Sequence, residues 1–446
     1  MKFIDNSKDL EKYLDISLED EYKIESISTD TRTINKNSIF IAIKGKNFDG
    51  NKFVEEAFLK GAVLALVDDR KFVNSEDKRI IYVNSTIKTL KKISSKIIKN
   101  FDGKVITITG SNGKTTTTSL IASTVHRSSK TIKNYNNEIG VPLSIINSSP
   151  HSKYLILEIG ASKFKDIDYL SDILKPDIGI ITNIGNSHLK ELKNIKGVLK
   201  VKSEMIPHIK KDGILIVPSE NIDHVNFWKK IRRDIKVYTF GKSTESDFYP
   251  TNLKLSNRGL DFLINSKHLN KKITVKSTLE GIHNVMNILA SFAAHFLLNE
   301  KLEDFSESIN SKKFIKNRQI KSKWINGSTL IDDTYNANPD STIKSIDLLS
   351  NYNKKTILVL GDMLELGKFK KKLHIEIGKY AKKKNINLLI GFGKFSKYSI
   401  EGFGDEGIFF SEEEKLKSFL KQNISSKDVI LIKGSRGMKM ERFIDV

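Results

Sequence analysis

The stretch "VITITGSNGKTTTT", residues 105–118, decides how the chain around it folds. An apolar run ends in Gly110, two polar residues and Gly113, and Lys114-Thr115 then opens a helical pattern. A strand, a glycine turn and a helix start in that order aim backbone N–H groups and the helix dipole at one point, which is a cradle for phosphate. Glycines at both ends let the N–H groups face an anion without a Cβ in the way. Gly110, Ser111, Asn112 and Gly113 are the loop; Lys114 suits the β- and γ-phosphates, and the Thr115 hydroxyl suits Mg²⁺, with Thr116 beside it. The longer form of this loop asks for a glycine five residues before Gly113, and this chain has Ile108 there.

Working outward, residues 105 to about 300 alternate short apolar runs with helical patterns. "YLILEIG" (154–160), "DIGIITNIG" (177–185) and "GILIVPS" (213–219) each end in polar or glycine residues. That is the pattern of an α/β, doubly wound, mostly parallel sheet, whose ligands gather at the carboxyl ends of the strands. Glu158 closes one such strand and is the best acidic Mg²⁺ ligand in this region, against the alternative of a solvated strand-end glutamate. His188 follows the strand ending at Thr182-Asn183, and its position makes a functional role as plausible as a structural one. Lys202 reads locally as a surface lysine. In "NVMNILASFAAHFLLN" (284–299), Asn287, Ser291 and His295 form one polar stripe on an otherwise apolar helix, which predicts a satisfied, half-buried His295.

The flanks carry units of their own. Strand signals "SIFIAIKG" and "AVLALVDD" surround the helical pattern "NKFVEEAFLKGA", and "RIIYVNS" closes a small α/β unit over 1–84. The basic helix pattern "TLKKISSKIIKNF" leads into the central unit, 85–312. From 313 to 446, "TILVLGDM", "INLLIGFG" and "DVILIKGS" predict a second, separate α/β sheet. Such a division is expected, because 446 residues exceed one core. There are no cysteines, so disulfides, thiolate metal sites and a cysteine nucleophile are excluded, in keeping with a reducing cytoplasm. No apolar run approaches membrane-spanning length, and the start lacks a signal-peptide core. The 75 Lys+Arg against 53 Asp+Glu give +22, but the lysines are spread along the chain without a concentrated stripe. That favours compositional drift with a phosphate-rich ligand over a nucleic-acid partner.

"TGSNGKTTT", "NYNNEIGVPLS", "LEIGAS", "TNIGNSHL", "EGIHNVMNILA", "IDDTYNANPDS", "LGDMLELG" and "KGSRGM" occur in one order along nearly the whole chain, which resembles the Mur ligase family of ATP-dependent amide-forming enzymes. The family uses the shorter loop, so Ile108 becomes a clue. The resemblance implies three domains: an N-terminal UDP-sugar-binding one, a central ATPase and a C-terminal Rossmann-like one that closes on ATP. It implies ATP phosphates on Gly110 to Thr116 and two Mg²⁺ ions on Thr115, Glu158, His188 and a carbamylated Lys202. Asn284 and Asn287 are implied near the adenine, and Arg318 and Asp333 as ATP contacts from the last domain. Thr29, Asp30, Arg32, Lys44, Asp49 and Gly50 are implied around the UDP-sugar, Asn136 and Asn137 in the substrate cleft, and Asn336 and Asn338 near an incoming dipeptide. Each also reads as a turn or capping residue, Asn338 most strongly because Pro339 follows it. Two places depart from the family pattern: the segment "ASKFKDIDYL" after Gly160, and Asn51 where a histidine is common.

The implied reaction joins D-alanyl-D-alanine to UDP-N-acetylmuramoyl-tripeptide through an acyl phosphate, in the cytoplasm, by a monomer without membrane insertion. The "YNANPDS" segment favours the dipeptide over a sister ligase that adds one amino acid. A nucleic-acid-stimulated ATPase needs an acidic helicase-type box after a strand, and "YLILEIG" is not one. A non-catalytic nucleotide-binding scaffold is disfavoured by the number of intact motifs.

Overall fold

The computed structural model describes residues 2–445 apart from 46–47, 75, 258 and 311–319. Its described strands form three sheets. In the central one, Lys104–Thr109 lies between Tyr154–Glu158 and Ile178–Ile181, all parallel, with Ser128–Lys130 outside the former and Ile214–Pro218 and Lys236–Phe240 beyond the latter. The inner strands are buried on both faces, as the near-continuous apolar runs require. Ile108 is fully buried, in register with Glu158 on one side and Ile180 on the other. The strand therefore runs through Thr109 and the loop starts only at Gly110. A side chain that fills the core stands where longer loops already turn.

Past Phe240 the sheet changes character. Phe248–Ser256 pairs antiparallel with Gly259–Ser266, which pairs antiparallel with Ile273–Ser277. This extension adds an antiparallel edge to the mostly parallel sheet. Helix Ile282–Leu297 packs on strands Ile214–Pro218, Lys236–Phe240 and Phe248–Ser256 and against helices Lys114–Thr124 and Leu302–Asn310. Enclosed on these sides, His295 is fully buried and not half-buried. Its Nε2 lies 2.8 Å from the Lys301 carbonyl, and burial pushes its pKa down.

The N-terminal sheet is parallel, in the order Ser26–Ser28, Ser38–Ile41, Ala62–Val67, Ile80–Tyr82. Helix Thr86–Lys99, capped by the Ser85 hydroxyl, places Leu90, Ile93 and Ile97 in a core that runs unbroken from Ile4 and Ile41 to Val141 and Ile167. The first two units thus share one apolar core. Asn147 adds a clamp: its Oδ1 accepts from Ile27 N (3.0 Å) and its Nδ2 donates to Ile27 O (3.0 Å).

The C-terminal sheet runs Ile320–Lys323, Thr329–Asp333, Asp428–Lys433, Lys355–Gly361, Leu388–Phe392, Gly407–Phe410, antiparallel at the first pair and parallel after it. Separate apolar clusters cover its two faces. The expected boundary at 312/313 lies outside the described residues. An ion pair between Glu280 and Lys321, with Tyr352 beside it, ties this unit to the central one. No helix among the described residues is long and apolar enough to cross a membrane.

Asn147→Ala removes both bonds to Ile27. We expect a loss of about 1–3 kcal/mol and faster hydrogen exchange at the Ile27 amide than in strand Ala62–Val67. Equal exchange in variant and parent speaks against the clamp.

Candidate active site

The loop 110–113 is held from behind. Gly110 has φ +145 and Gly113 φ +82, conformations open to glycine. A Cβ on Gly110 runs into the Thr182 hydroxyl, and one on Gly113 into the Asn287 amide. Asn112 N donates to Asn183 Oδ1 (3.0 Å), while Thr182 Oγ1 (2.5 Å) and Asn183 Nδ2 (3.1 Å) donate to Asn112 O. Ser111 is tied to Gly185, its Oγ donating to the carbonyl (3.0 Å) and accepting from the amide (2.9 Å). Thr182 and Asn183, legible only as a strand end, are thus the support of the phosphate loop.

Glu158 is 2% exposed and receives two side chains: Thr115 Oγ1 at 2.7 Å on one carboxylate oxygen and Asn136 Nδ2 at 2.7 Å on the other. This joins the helix start, the strand end and the 134–138 loop at one point. Asn137 instead holds the start of the next helix, its Oδ1 accepting from Gly140 N at 2.9 Å. Lys114 Nζ donates to Gly110 O at 2.9 Å. Lys202 is 1% exposed, and burial together with the Lys114 ammonium pulls its pKa from 10.5 down to about 7. An amine that ordinary solvation would keep charged is therefore close to neutrality at this point. His188 sits at φ +51 with Nδ1 2.6 Å from Glu365 Oε2, a partner from the C-terminal unit.

A cavity of about 1460 Å³ opens between the central and C-terminal units. Ser111, Asn112, Gly113, Lys114 and Thr116 line it, as do Asn136, Asn137, Glu158, His188, Asn284, Asn287, Asp333, Asn336 and Asn338. Asn338 caps helix Pro339–Leu349 in a reciprocal box with Ser341, and its Nδ2 also donates to Asn112 Oδ1 at 2.8 Å. Its capping role and its place beside the phosphate loop coexist. Asp333 accepts from Lys433 Nζ (2.6 Å) and Ser345 Oγ (2.7 Å); Lys433, 2% exposed, also donates to the Asn336 carbonyl (2.9 Å). Lys433 went unassigned in the sequence although "KGSRGM" begins with it. Its facing position in the strand register with Asp333 is what gives it a partner.

Gly110, Thr115 and Lys202 do not line the cavity, and six further sequence-predicted residues lie elsewhere. Thr29, Asp30, Arg32, Lys44, Asp49 and Gly50 belong to the N-terminal unit and are not in the cavity wall. Asp30 accepts from Arg32 Nε (2.9 Å), and Lys133 and Tyr135 lie close enough to act on this pair, so this corner faces the 134–138 loop. Lys44 and Asp49 approach within 3.8 Å of each other. Asn51 is fully buried, its Nδ2 shared by Asp49 (2.8 Å) and Asp68 (3.1 Å). Arg318 lies outside the described residues.

Thr115 and Glu158 bring hard oxygens together at the mouth of an anion loop, donors that fit Mg²⁺. Comparison with known proteins gives the same picture across the chain. "Mur ligase family, catalytic domain" matches residues 23–102, "Mur ligase middle domain" 108–295 and "Mur ligase, glutamate ligase domain" 318–436. The chain is 37% identical over 430 residues to a UDP-N-acetylmuramoyl-tripeptide–D-alanyl-D-alanine ligase of Buchnera aphidicola, covering 95% of this chain and 92% of that one. It is 35% identical over 433 residues to the Bacillus subtilis protein of that name, covering 94% and 92%. Among solved structures, MurF from Acinetobacter baumannii matches with a TM-score of 0.85 at 28% identity, over 99% of this chain and 95% of that one. MurF ligase from Thermotoga maritima in complex with ADP matches at 0.80 and 27%, over 94% and 96%.

Because the folded state holds Lys202 below its unfolded pKa, protonation favours unfolding. The cost is full below about pH 7 and fades as pH rises toward 10.5. Lys202→Met is therefore expected to stabilise the chain by a few kcal/mol near pH 7 and much less at pH 10, measured by denaturant unfolding. A pH-independent effect speaks against a strained amine.

Proposed function

The chain belongs to the Mur ligase family, and on that premise we propose that it is an ATP-dependent ligase joining D-alanyl-D-alanine to UDP-N-acetylmuramoyl-tripeptide, a step of peptidoglycan precursor synthesis. The observation that carries the reading is the contact of Asn338 Nδ2 with Asn112 Oδ1 across 226 positions of sequence. It sets the segment assigned to the dipeptide directly against the phosphate loop, so an acceptor amine and a γ-phosphate can meet in one cavity.

The tripeptide's terminal carboxylate attacks the γ-phosphorus of ATP, ADP departs, and the dipeptide amine displaces phosphate from the acyl phosphate to leave an amide. The loop N–H groups and Lys114 hold the phosphates. Asn284 and Asn287 are assigned to the adenine side, and Asp333 and Arg318 to the nucleotide from the C-terminal unit. Asn136 orients Glu158 and faces the tripeptide, and Asn336 faces the dipeptide. Thr29, Asp30, Arg32, Lys44, Asp49 and Gly50 take the UDP-sugar end. Thr115, Glu158, His188 and a carbamylated Lys202 are the residues for two Mg²⁺, which when bound neutralise the repulsion between carboxylate and triphosphate. Carbamylation needs a neutral amine: the Lys202 nitrogen bonds to the carbon of CO₂, one proton leaves, and the neutral amine becomes an anion. The depressed pKa of Lys202 supports that step near neutral pH. We place the reaction in the cytoplasm and assign it to one chain, since both halves of the cavity come from the same molecule.

Phosphate release should require ATP, the muramoyl tripeptide and D-alanyl-D-alanine together, and Lys114→Ala should lower kcat by about 100-fold or more. Product with a single amino acid but none with the dipeptide overturns the assignment of acceptor. With ¹³C-bicarbonate, the full chain should show a carbamate resonance that Lys202→Arg lacks.

A further inference from the structure

The cavity wall on the nucleotide side is shared by two units. Asn284 and Asn287 come from helix Ile282–Leu297 of the central unit, and Asp333 from the C-terminal sheet. Glu280 stands where these walls join, one residue before Gly281, which opens that helix at φ +82. Its side chain is 11% exposed and forms the ion pair with Lys321 of the C-terminal unit. Lys321 Nζ also donates to the Asn257 carbonyl (2.8 Å) and lies 5.0 Å from the centre of the Tyr352 ring. The Tyr352 hydroxyl is 3.5 Å from Glu280 Oε2. Among the described residues, Lys321 and Tyr352 are the titratable groups that act on the Glu280 carboxyl, so no second cation competes for it.

The main chain of Glu280 leads to the phosphate loop. Its carbonyl accepts from Asn284 Nδ2 (2.8 Å), and Asn284 Oδ1 accepts from Asn287 Nδ2 (2.9 Å). Both side-chain amides are thereby turned one way. Asn287 Oδ1 then lies against Gly113, where a Cβ would come within 2.2 Å of it. On the other side, Lys321 belongs to strand Ile320–Lys323, which pairs with Thr329–Asp333 and sets Lys321 opposite Ile331, two residues before Asp333. Helix Pro339–Leu349 starts at Asn338 beside the phosphate loop and ends three residues before Tyr352. One ion pair thus links both walls: by hydrogen bonds to the residue packed on Gly113, and by strand register to Asp333.

We infer that Glu280 is a positioning residue for the nucleotide: by holding Lys321 it docks the wall that carries Asp333 against Asn284 and Asn287. This rests on the ligase reading above for where the nucleotide lies. The pair favours the docked arrangement, and a nucleotide that touches both walls favours it too. By linkage, loss of the pair weakens nucleotide binding. Once ATP saturates the site, the docked arrangement is restored and the chemistry proceeds as before. Glu280→Gln removes the charge and keeps the carbonyl that orients Asn284.

The test titrates the full chain with ADP and Mg²⁺ by calorimetry and follows ligation in the steady state. Glu280→Gln and Lys321→Met should each weaken ADP binding and raise KM for ATP about five- to tenfold. The double variant should bind ADP no more weakly than the weaker single variant, because both remove one interaction. At saturating ATP, kcat and the KM for the muramoyl tripeptide should stay within about twofold of the parent, which also reports that the variants are folded. A pair that only braces the fold lowers the unfolding temperature and leaves ADP affinity alone. Unchanged ADP affinity in either single variant, losses that multiply in the double variant, or a fall in kcat at unchanged KM overturns the inference. Absence of amide product from the unmutated chain overturns the ligase reading instead, while the ADP titration decides the positioning role by itself.

Discussion

A carboxylate buried at 2% exposure must find partners, and the partners Glu158 finds organise the site. Its two oxygens take Thr115 from the phosphate-loop helix and Asn136 from the loop over the substrate side. Its backbone amide donates to the Thr131 hydroxyl at 2.7 Å. The strand that carries it is pinned on both faces by apolar packing. Three segments distant in sequence are thus brought within one carboxylate's reach. The site's charges shape their neighbours too: burial, and then the Lys114 ammonium beside the loop, disfavour a charged amine at Lys202, which loses its proton readily. A site that must gather a triphosphate and a carboxylate has its own charges arranged around one fixed anion.

How much of this was legible follows from how local each signal is. The parallel strands announce themselves as apolar runs ending in glycine or polar residues, and Glu158 and the loop follow from them. The antiparallel extension 248–277 does not, because Phe248–Ser256 carries Pro250 and a largely exposed second half that reads as loop. His295 read as half-buried because a helical wheel shows one polar stripe; it cannot show that a second helix lies over that stripe. Asn51 stood out as a departure, and its burial between Asp49 and Asp68 gives it a structural occupation. Lys433 and Asp340 carry no local signal, since their partners, Asp333 and the amide of Asn186, are 100 and 154 positions away. No periodicity encodes such pairs. They arise from sheet order and from the docking of one unit on another.

That docking differs in kind at the two joints. The N-terminal and central units share an apolar core, and separating them exposes Leu90, Ile93 and Ile97 to water. The C-terminal unit meets the phosphate side through polar groups, Asn338 on Asn112, Asp340 on the amide of Asn186 (2.5 Å) and Glu365 on His188, while its Phe369 and Leu373 pack against the shared apolar core. Lys190 N adds a bond to the Glu365 carbonyl (2.9 Å). Polar contacts at a cavity rim are worth about 1 kcal/mol each, and water can replace them. In the proposed reaction such a joint would hold the 336–338 segment over the phosphate loop and still part between turnovers. An acyl phosphate that water destroys needs the first property, and release of a large amide product needs the second. An apolar joint on one side and a mostly polar one on the other would give a single chain both.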